Sequence, residues 1–273
     1  MMKIFSRSAL AVIAVAFVST AAAEDDWIEQ SNANAAPMLE IIARYHPESV
    51  ARLGVEGFDE EIIDLRPGYD ERAEADLARA ATEMEAKLAT TRDPRVRQDL
   101  QILIESARDN ATTSALERRL MLPYTNLPED LFQGVQSLLD PRTPKERYPA
   151  ALARLRKYNG AEPGYAPITE LAQDRAEERF DVPGLTGPWK VEVEQHLENQ
   201  SRYVSGIRDL FEKSGLKGWQ TDLEKLEGQL DDHAAWVRAQ ILPRARDTNR
   251  LPPEIYADNL RNFGVKADPL ELI

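Results

Sequence analysis

The chain has 273 residues, of which 47 are acidic and 34 are basic, and its formal net charge is −13. An acidic surface repels phosphate groups, so this balance disfavours nucleic acids and anionic membranes as binding partners. The chain contains no cysteine, which excludes disulfides, a lipoprotein anchor and a cysteine nucleophile.

The N-terminus has the pattern of a secretory signal peptide. Two basic residues precede an apolar run at 9–18, and Ala21 and Ala23 occupy the A-x-A positions of a cleavage site. An apolar run this short does not cross a bilayer, which needs roughly 20 residues. We therefore expect residues 1–23 to be removed after Ala23, and the mature protein to be periplasmic or secreted with no membrane span.

Helical patterns follow one another along residues 24–273, because apolar side chains recur at a spacing of three and four between prolines and glycines. Runs of alternating β-branched residues are absent. The pattern predicts an all-α fold, an irregular multi-helix array with long antiparallel helical hairpins, and an internal boundary near 181–188. Helices are expected at about 38–45, 47–53, 70–88, 94–121, 131–139, 143–160, 168–180, 189–214, 221–241 and 253–263.

Two capping patterns set helix starts within this array. Thr143 with Glu146 has the spacing of a capping box, and Thr221 with Glu224 repeats it. The loop before Thr221 is short, so the helices on its two sides are predicted to pack as an antiparallel hairpin.

The segment at 118–126 is the most informative irregular stretch, because prolines break a long helix there and polar groups gather around the break. Arg119, Tyr124 and Asn126 are the candidate substrate-binding residues. The alternative is that Pro123 and Pro128 only make a turn, with Asn126 capping the next helix. A second basic cluster, formed by arginines 244, 246 and 250, follows a helix end, where positive charge stabilises the helix dipole.

Residues that carry chemistry are few. The histidines at 46, 196 and 233 are followed by Pro, Leu and Ala, so none begins a His-Glu-x-x-His zinc motif. His196 and His233 are interpreted as packing or interhelical hydrogen-bonding residues. No serine lies in a Gly-x-Ser-x-Gly elbow, and no phosphate loop or dinucleotide fingerprint occurs. We therefore expect no catalytic residue, no metal ligand and no cofactor in this chain.

The C-terminal region has the pattern of an interrupted structure. Pro253 is well placed to begin a helix, with Tyr256, Leu260 and Phe263 as its apolar stripe. Asp268 then resembles the cap of a further helix, only five residues before the last residue of the sequence. We expect the residues from Leu251 onward to dock poorly, and to contact missing sequence or a second copy of the chain.

Short motifs in this region resemble the bacterial "domain of unknown function 885" family. They are Leu-Pro-Arg-Ala-Arg at 242–246, Arg-Leu-Pro-Pro-Glu-Ile-Tyr-Ala at 250–257, Phe-Gly-Val at 263–265 and Asp-Pro-Leu-Glu-Leu at 268–272. The resemblance extends over most of residues 37–273. It implies a largely helical, secreted or periplasmic protein, and a zinc-binding His-Glu-x-x-His motif in a C-terminal half that this chain lacks.

Two functions of different classes follow. The first is the N-terminal scaffold of a secreted zinc-metallopeptidase-like protein, which forms one wall of a substrate cleft and is inactive alone. The second is a stand-alone periplasmic helical binding or interaction protein. The family-like motifs favour the first, and the lack of catalytic residues favours the second.

Overall fold

The computed structural model describes residues 26–52, 55 and 57–265; the predicted signal peptide and the predicted cap at Asp268 lie outside this range. Within it the chain is helical, with two isolated β-bridges and no named strand. The predicted all-α class is confirmed. The helices are α1 (Asp26–Tyr45), α2 (Pro47–Arg52), α3 (Tyr69–Thr90), α4 (Pro94–Leu120), α5 (Leu127–Leu139), α6 (Pro149–Tyr158), α7 (Ile168–Glu177), α8 (Lys190–Ser214), α9 (Gln220–Trp236) and α10 (Pro253–Asn262).

These helices form two compact units from interleaved segments of the chain. The first unit comprises Ala43–Pro67 and Met121–Arg250. The second comprises the described residues up to Ile42, together with Gly68–Leu120 and the described residues from Leu251 to Val265. The predicted boundary region at 181–188 lies inside the first unit.

The second unit is built on the antiparallel hairpin of α3 and α4, which pack together along their length. Arg118 near the end of α4 donates to Glu74 near the start of α3, with Nη2 2.7 Å from Oε2, and Arg108 pairs with Glu85 further along. Pro94 begins α4 after a connection of three residues, and this tight turn fixes the antiparallel arrangement. The predicted long hairpin is therefore present.

Helix α10 packs on α4 within the second unit, which corrects the expectation of poor docking for this helix; residues 266–273 lie outside the described range. Ile255 and Asp258 are each 2% exposed, and the Thr113 hydroxyl donates to Asp258 Oδ2 over 2.5 Å. Tyr256 and Phe263, by contrast, are 45% and 82% exposed. The packing of α10 was not predicted because the helix is anchored through a buried carboxylate, which a count of apolar residues does not detect.

A buried arginine organises the first unit. Arg154 is 0% exposed and donates to three backbone carbonyls in two segments: Nε to Glu61 at 3.1 Å, Nη2 to Phe58 at 3.2 Å and Nη1 to Gly134 at 2.7 Å. Nη1 also donates to Ser137 Oγ over 3.2 Å. The guanidinium thus ties the segment after α2 to α5 and α6, and its donors are satisfied without a carboxylate.

A tyrosine beside it makes a second connection. Tyr158, also 0% exposed, donates its hydroxyl to Glu48 Oε1 over 2.9 Å, and the same oxygen accepts the Ile63 backbone N–H over 3.0 Å. A Cβ at Gly134 would overlap the Tyr158 hydroxyl, so the close approach requires glycine at this position. Glu48 near the start of α2 is therefore fixed by contacts to residues 15 and 110 positions away.

The two predicted helix caps are wrong. Thr143 instead donates its hydroxyl to the Ser137 carbonyl over 3.1 Å, and α6 begins later, at Pro149. Thr221 does not cap α9, which begins one residue earlier at Gln220 without a side-chain cap. In the first case a proline with the φ angle of a helix starts the helix more readily than the threonine upstream.

Helices α8 and α9 are antiparallel, as predicted, and polar pairs join them. Gln200 Nε2 lies 2.9 Å from Asp231 Oδ1, and Arg208 Nη2 lies 2.5 Å from Glu227 Oε1. The closer packing of α8 is with α5, where a Cβ at Gly206 would lie 2.6 Å from the ring of Phe132. After α9 the chain continues as a π-helical turn (Val237–Ile241) and a 3-10 turn (Leu242–Arg244), a change that the sequence pattern did not indicate.

Candidate functional site

Three extended segments of the first unit pair side by side and form the frame of the site. The Leu122 N–H donates to the Thr186 carbonyl over 2.9 Å. On the other side, the Arg246 N–H donates to the Pro188 carbonyl and the Lys190 N–H donates to the Arg246 carbonyl, each over 2.9 Å. The residues just after α4, just before α8 and just after the 3-10 turn are thereby brought together.

Gly187 makes this pairing possible. A Cβ at this position would overlap the backbone carbonyl oxygen of Arg244, and that atom cannot swing away as a side chain can. The residue is buried in the frame. Only glycine therefore allows the segment before α8 and the segment after the 3-10 turn to approach this closely.

Tyr124 and His196 form a stacked, hydrogen-bonded pair next to the frame: Tyr124 follows Leu122 by two residues, and His196 lies on α8. Their ring centroids are 5.8 Å apart with an interplanar angle of 15°, and Tyr124 Oη lies 3.3 Å from His196 Nδ1. Burial raises the pKa of Tyr124 and lowers the pKa of His196. Both side chains are therefore neutral near pH 7, so the pair offers hydrogen bonds rather than a charge.

Glu192 lies close to this pair, one helical turn before His196 on α8. Its carboxylate contributes to the raised pKa of Tyr124, and it favours the charged forms of both His196 and Arg246. Three side chains from three segments thus respond to the same charge. We call Tyr124, Glu192, His196 and Arg246 the polar cluster.

Arg246 is the cation of the polar cluster. Its side chain is half-buried, its Nη1 donates to the Gly187 carbonyl, and its Nε is buried without a hydrogen-bond partner. Burial lowers the pKa of Arg246. Across the described part of the chain, no carboxylate lies within ion-pair distance of this guanidinium. Its charge is offset only by the more distant Glu192.

Asn126 lies near the polar cluster, at the N-cap position of α5. Its side chain does not cap the helix; Nδ2 donates to Glu129 Oε2 over 2.7 Å, while Oδ1 is buried without a partner. The Glu129 carboxylate in turn favours the charged form of His196, which places it in the same region. The structure therefore gathers two of the three predicted binding residues, Tyr124 and Asn126, in one part of the first unit.

The third predicted residue, Arg119, is placed differently. It lies in the last turn of α4, which belongs to the second unit, and its side chain is exposed. Its neighbour Arg118 is held by Glu74, with Nε 2.9 Å from Oε1. Sequence reasoning, in turn, did not select Glu192, His196 or Arg246 as binding residues. The spacing of Glu192 and His196 by four residues on one helix was the available signal.

His196 and His233 are both engaged with neighbouring side chains. Nδ1 of His196 faces the Tyr124 hydroxyl, and Nδ1 of His233 lies 3.2 Å from Gln173 Nε2, in a ring stacked on Trp236 at 5.5 Å. Burial lowers the pKa of His233 to about 4. Among the residues with described positions, no group of three His, Asp or Glu side chains is arranged to hold a metal ion. These donor sets therefore do not fit zinc.

The polar cluster offers hydrogen bonds and charge to a ligand. Tyr124 and His196 are both kept neutral, and their side chains bond to each other. The cluster combines a guanidinium, a carboxylate and two neutral hydrogen-bonding groups, as sites for polar ligands do. Separately, none of the helices in the described ranges is long and apolar enough to cross a membrane.

Comparison with known proteins identifies one relationship. A family model described as "Bacterial protein of unknown function (DUF885)" matches residues 47–273, which is most of the chain and includes the polar cluster. No curated protein and no solved structure matches the chain.

Proposed function

Since the chain belongs to the DUF885 family, we propose that it is the N-terminal helical portion of a secreted, metallopeptidase-like bacterial protein. In this role it supplies one wall of a substrate cleft and binds peptide through the polar cluster, but it catalyses no step itself. Zinc chemistry is assigned to sequence that carries a His-Glu-x-x-His motif, which residues 1–273 do not contain.

The observation that supports this proposal is the unused hydrogen-bonding capacity of the site. Buried polar atoms in folded proteins nearly always have partners. Asn126 Oδ1 and Arg246 Nε have none; Asn126 follows Tyr124 by two residues, and Arg246 belongs to the polar cluster. A peptide offers alternating N–H donors and carbonyl acceptors, which match this mixture of groups.

Secretion is part of the same proposal. The apolar run at 9–18 and the small residues before Glu24 support cleavage after Ala23. The chain has no cysteine, so in the oxidising periplasm packing alone must stabilise the fold.

Calorimetric titration of the purified mature chain with a panel of short peptides tests the function. We expect binding by the native chain, and affinity reduced roughly 5- to 100-fold in Tyr124→Phe, because one hydroxyl partner is lost at a desolvated site. Tyr256→Phe, the same change on an exposed tyrosine of α10, is the matched control and should bind normally.

The same preparations should hydrolyse no peptide when zinc is added. Peptide hydrolysis that follows added zinc would contradict the non-catalytic role. Failure of the native chain to bind any peptide would contradict the cleft role and favour the stand-alone interaction protein.

A further inference from the structure

We propose that Arg246 is the anchor for the C-terminal carboxylate of a peptide ligand. This inference rests on the proposed function, in which the polar cluster binds peptide. It goes further by naming the ligand group that one residue of the cluster recognises.

Arginines elsewhere in this chain show how such a group is held. Five of them use the fork formed by Nε and Nη2 to grip both oxygens of one carboxylate, with N···O distances of 2.6–3.3 Å. Two parallel hydrogen bonds of this kind select a planar carboxylate by geometry as well as by charge. The five pairs are Arg66–Asp64, Arg95–Asp93, Arg118–Glu74, Arg142–Asp140 and Arg147–Asp59.

Arg246 has the same fork without a carboxylate. Nη1, the nitrogen outside the fork, is engaged by the Gly187 carbonyl, and Nε has no acceptor. The residue is also fixed at its backbone, whose N–H and C=O bond to Pro188 and Lys190. A guanidinium that is already oriented loses little freedom when it binds an anion, so a small ligand group can be recognised here.

The charges around Arg246 favour a carboxylate over a phosphate. Glu192 favours the charged form of Arg246, and the whole chain carries a net charge of −13. A dianion would be repelled by these groups, whereas a single negative charge in a planar group is matched by one guanidinium. Tyr124 and His196 then remain available for the peptide groups that precede the carboxylate.

The test compares three N-acetylated tetrapeptides by calorimetric titration of the mature chain. The first has a free C-terminal acid, the second has a C-terminal amide, and the third has the same amide with an internal glutamate. We expect the acid to bind roughly 10- to 100-fold more tightly than either amide, as a charge-assisted pair does. The glutamate peptide separates a terminal carboxylate from a side-chain carboxylate.

Two variants assign the effect to the fork. Arg246→Lys keeps the charge but not the bidentate geometry, so the preference for the acid should disappear. Arg244→Lys is the matched control. The Arg244 side chain is exposed, and its Cζ lies 3.9 Å from the centroid of the Phe180 ring. The Arg244→Lys protein should keep the preference of the native chain for the acid. If Arg246→Lys fails to fold, the affinities of the native chain for the three peptides test on their own whether the site recognises a C-terminal carboxylate.

The outcomes distinguish the proposed role of Arg246 from the proposed binding of peptide by the polar cluster. Equal affinity for acid and amide, with both weakened by Tyr124→Phe, overturns the role of Arg246 and leaves the peptide cleft standing. Equal affinity for the acid and the glutamate peptide overturns the assignment to the C-terminus. Inorganic phosphate that competes better than acetate overturns the carboxylate preference, and no binding of any peptide overturns both proposals.

Discussion

Arg154 and Arg246, both in the first unit, differ in how far the hydrogen-bond donors of their guanidinium groups are satisfied. Arg154 is 0% exposed and gives its donors to three carbonyls and a hydroxyl of the chain itself. Arg246 gives one donor to Gly187 and keeps a buried Nε without a partner. A fully satisfied cation contributes to stability, whereas an incompletely satisfied one is suited to a ligand.

Replacing Arg154 with methionine should therefore destabilise the protein strongly. The substitution removes the hydrogen bonds from a fully buried guanidinium to the carbonyls of Phe58, Glu61 and Gly134. We expect a loss of roughly 3–5 kcal/mol in the free energy of unfolding. Denaturant titration measures it. Arg142→Met is the control, because that side chain is 90% exposed and its pair with Asp140 should contribute little. Equal effects of the two substitutions would show that Arg154 is not a structural centre.

His233 should make stability depend on pH. Burial lowers its pKa to about 4, against an ordinary value of ~6.5, so protonation favours the unfolded chain. The stabilisation is complete above pH ~6.5 and is lost as the pH falls through 4, by up to about 3 kcal/mol.

Unfolding of the native chain and of His233→Gln should be compared across this range. The variant lacks a titrating ring, so the difference between the two proteins should change between pH 7 and 4. A constant difference would mean that the His233 pKa is the same in the folded and unfolded states.

Gly187→Ala should disrupt the frame of the site. A Cβ there overlaps a backbone oxygen, so the paired segments must separate at a cost of roughly 1–3 kcal/mol, with loss of peptide binding.

Gly228→Ala provides the contrast, because that glycine lies within α9 and nothing is within 4 Å of its Cβ position. Alanine there should stabilise the helix by up to about 1 kcal/mol. Thermal melts and titrations of both variants give the answer; a Gly187→Ala protein that melts and binds normally would contradict the frame.

At the scale of helices, apolar periodicity and proline positions were sufficient for most of the fold. The α3–α4 hairpin follows from two long apolar stripes and Pro94, and these signals are local. The docked face of α10 was missed because Asp258 binds Thr113 across 145 residues of sequence. The cluster around Arg246 was missed for the same reason, since its partner Gly187 is 59 residues away. Contacts between distant polar groups leave no period in a sequence.

The exposed face of α10 should mediate association between copies of the chain. Tyr256 on α10 is 45% exposed, and Phe263, which directly follows the helix, is 82% exposed. The opposite face of α10 is anchored to α4. Covering such side chains removes apolar surface from water and favours a dimer.

Sedimentation at increasing protein concentration should show dimer formation that Phe263→Ser weakens. Ile102→Ser, which changes an apolar residue 37% exposed on α4, should leave it unchanged. A native chain that stays monomeric at every concentration would contradict this surface.

At the scale of the whole molecule, the first testable property is export. We expect the mature protein to begin at Glu24, because Ala21 and Ala23 form a cleavage site after a short apolar run. N-terminal sequencing of protein recovered from the periplasm of an expressing bacterium measures this. Replacing Ala23 with a large charged residue should block cleavage of the signal peptide. The same replacement at Trp27, which follows the predicted cleavage point, should not block it. Recovery of residues 1–23 on the exported protein would contradict the prediction.

The contacts of Arg154 join parts of the chain that are synthesised at different times. Phe58, one of its acceptors, precedes Arg154 by 96 residues, so a ribosome working at 5–20 residues per second delivers the arginine about 5–20 s after the acceptor. Throughout that interval the segment after α2 exists without the group that fixes it. The first unit therefore lacks this connection until residue 154 has been synthesised, and a chain that stops earlier never acquires it.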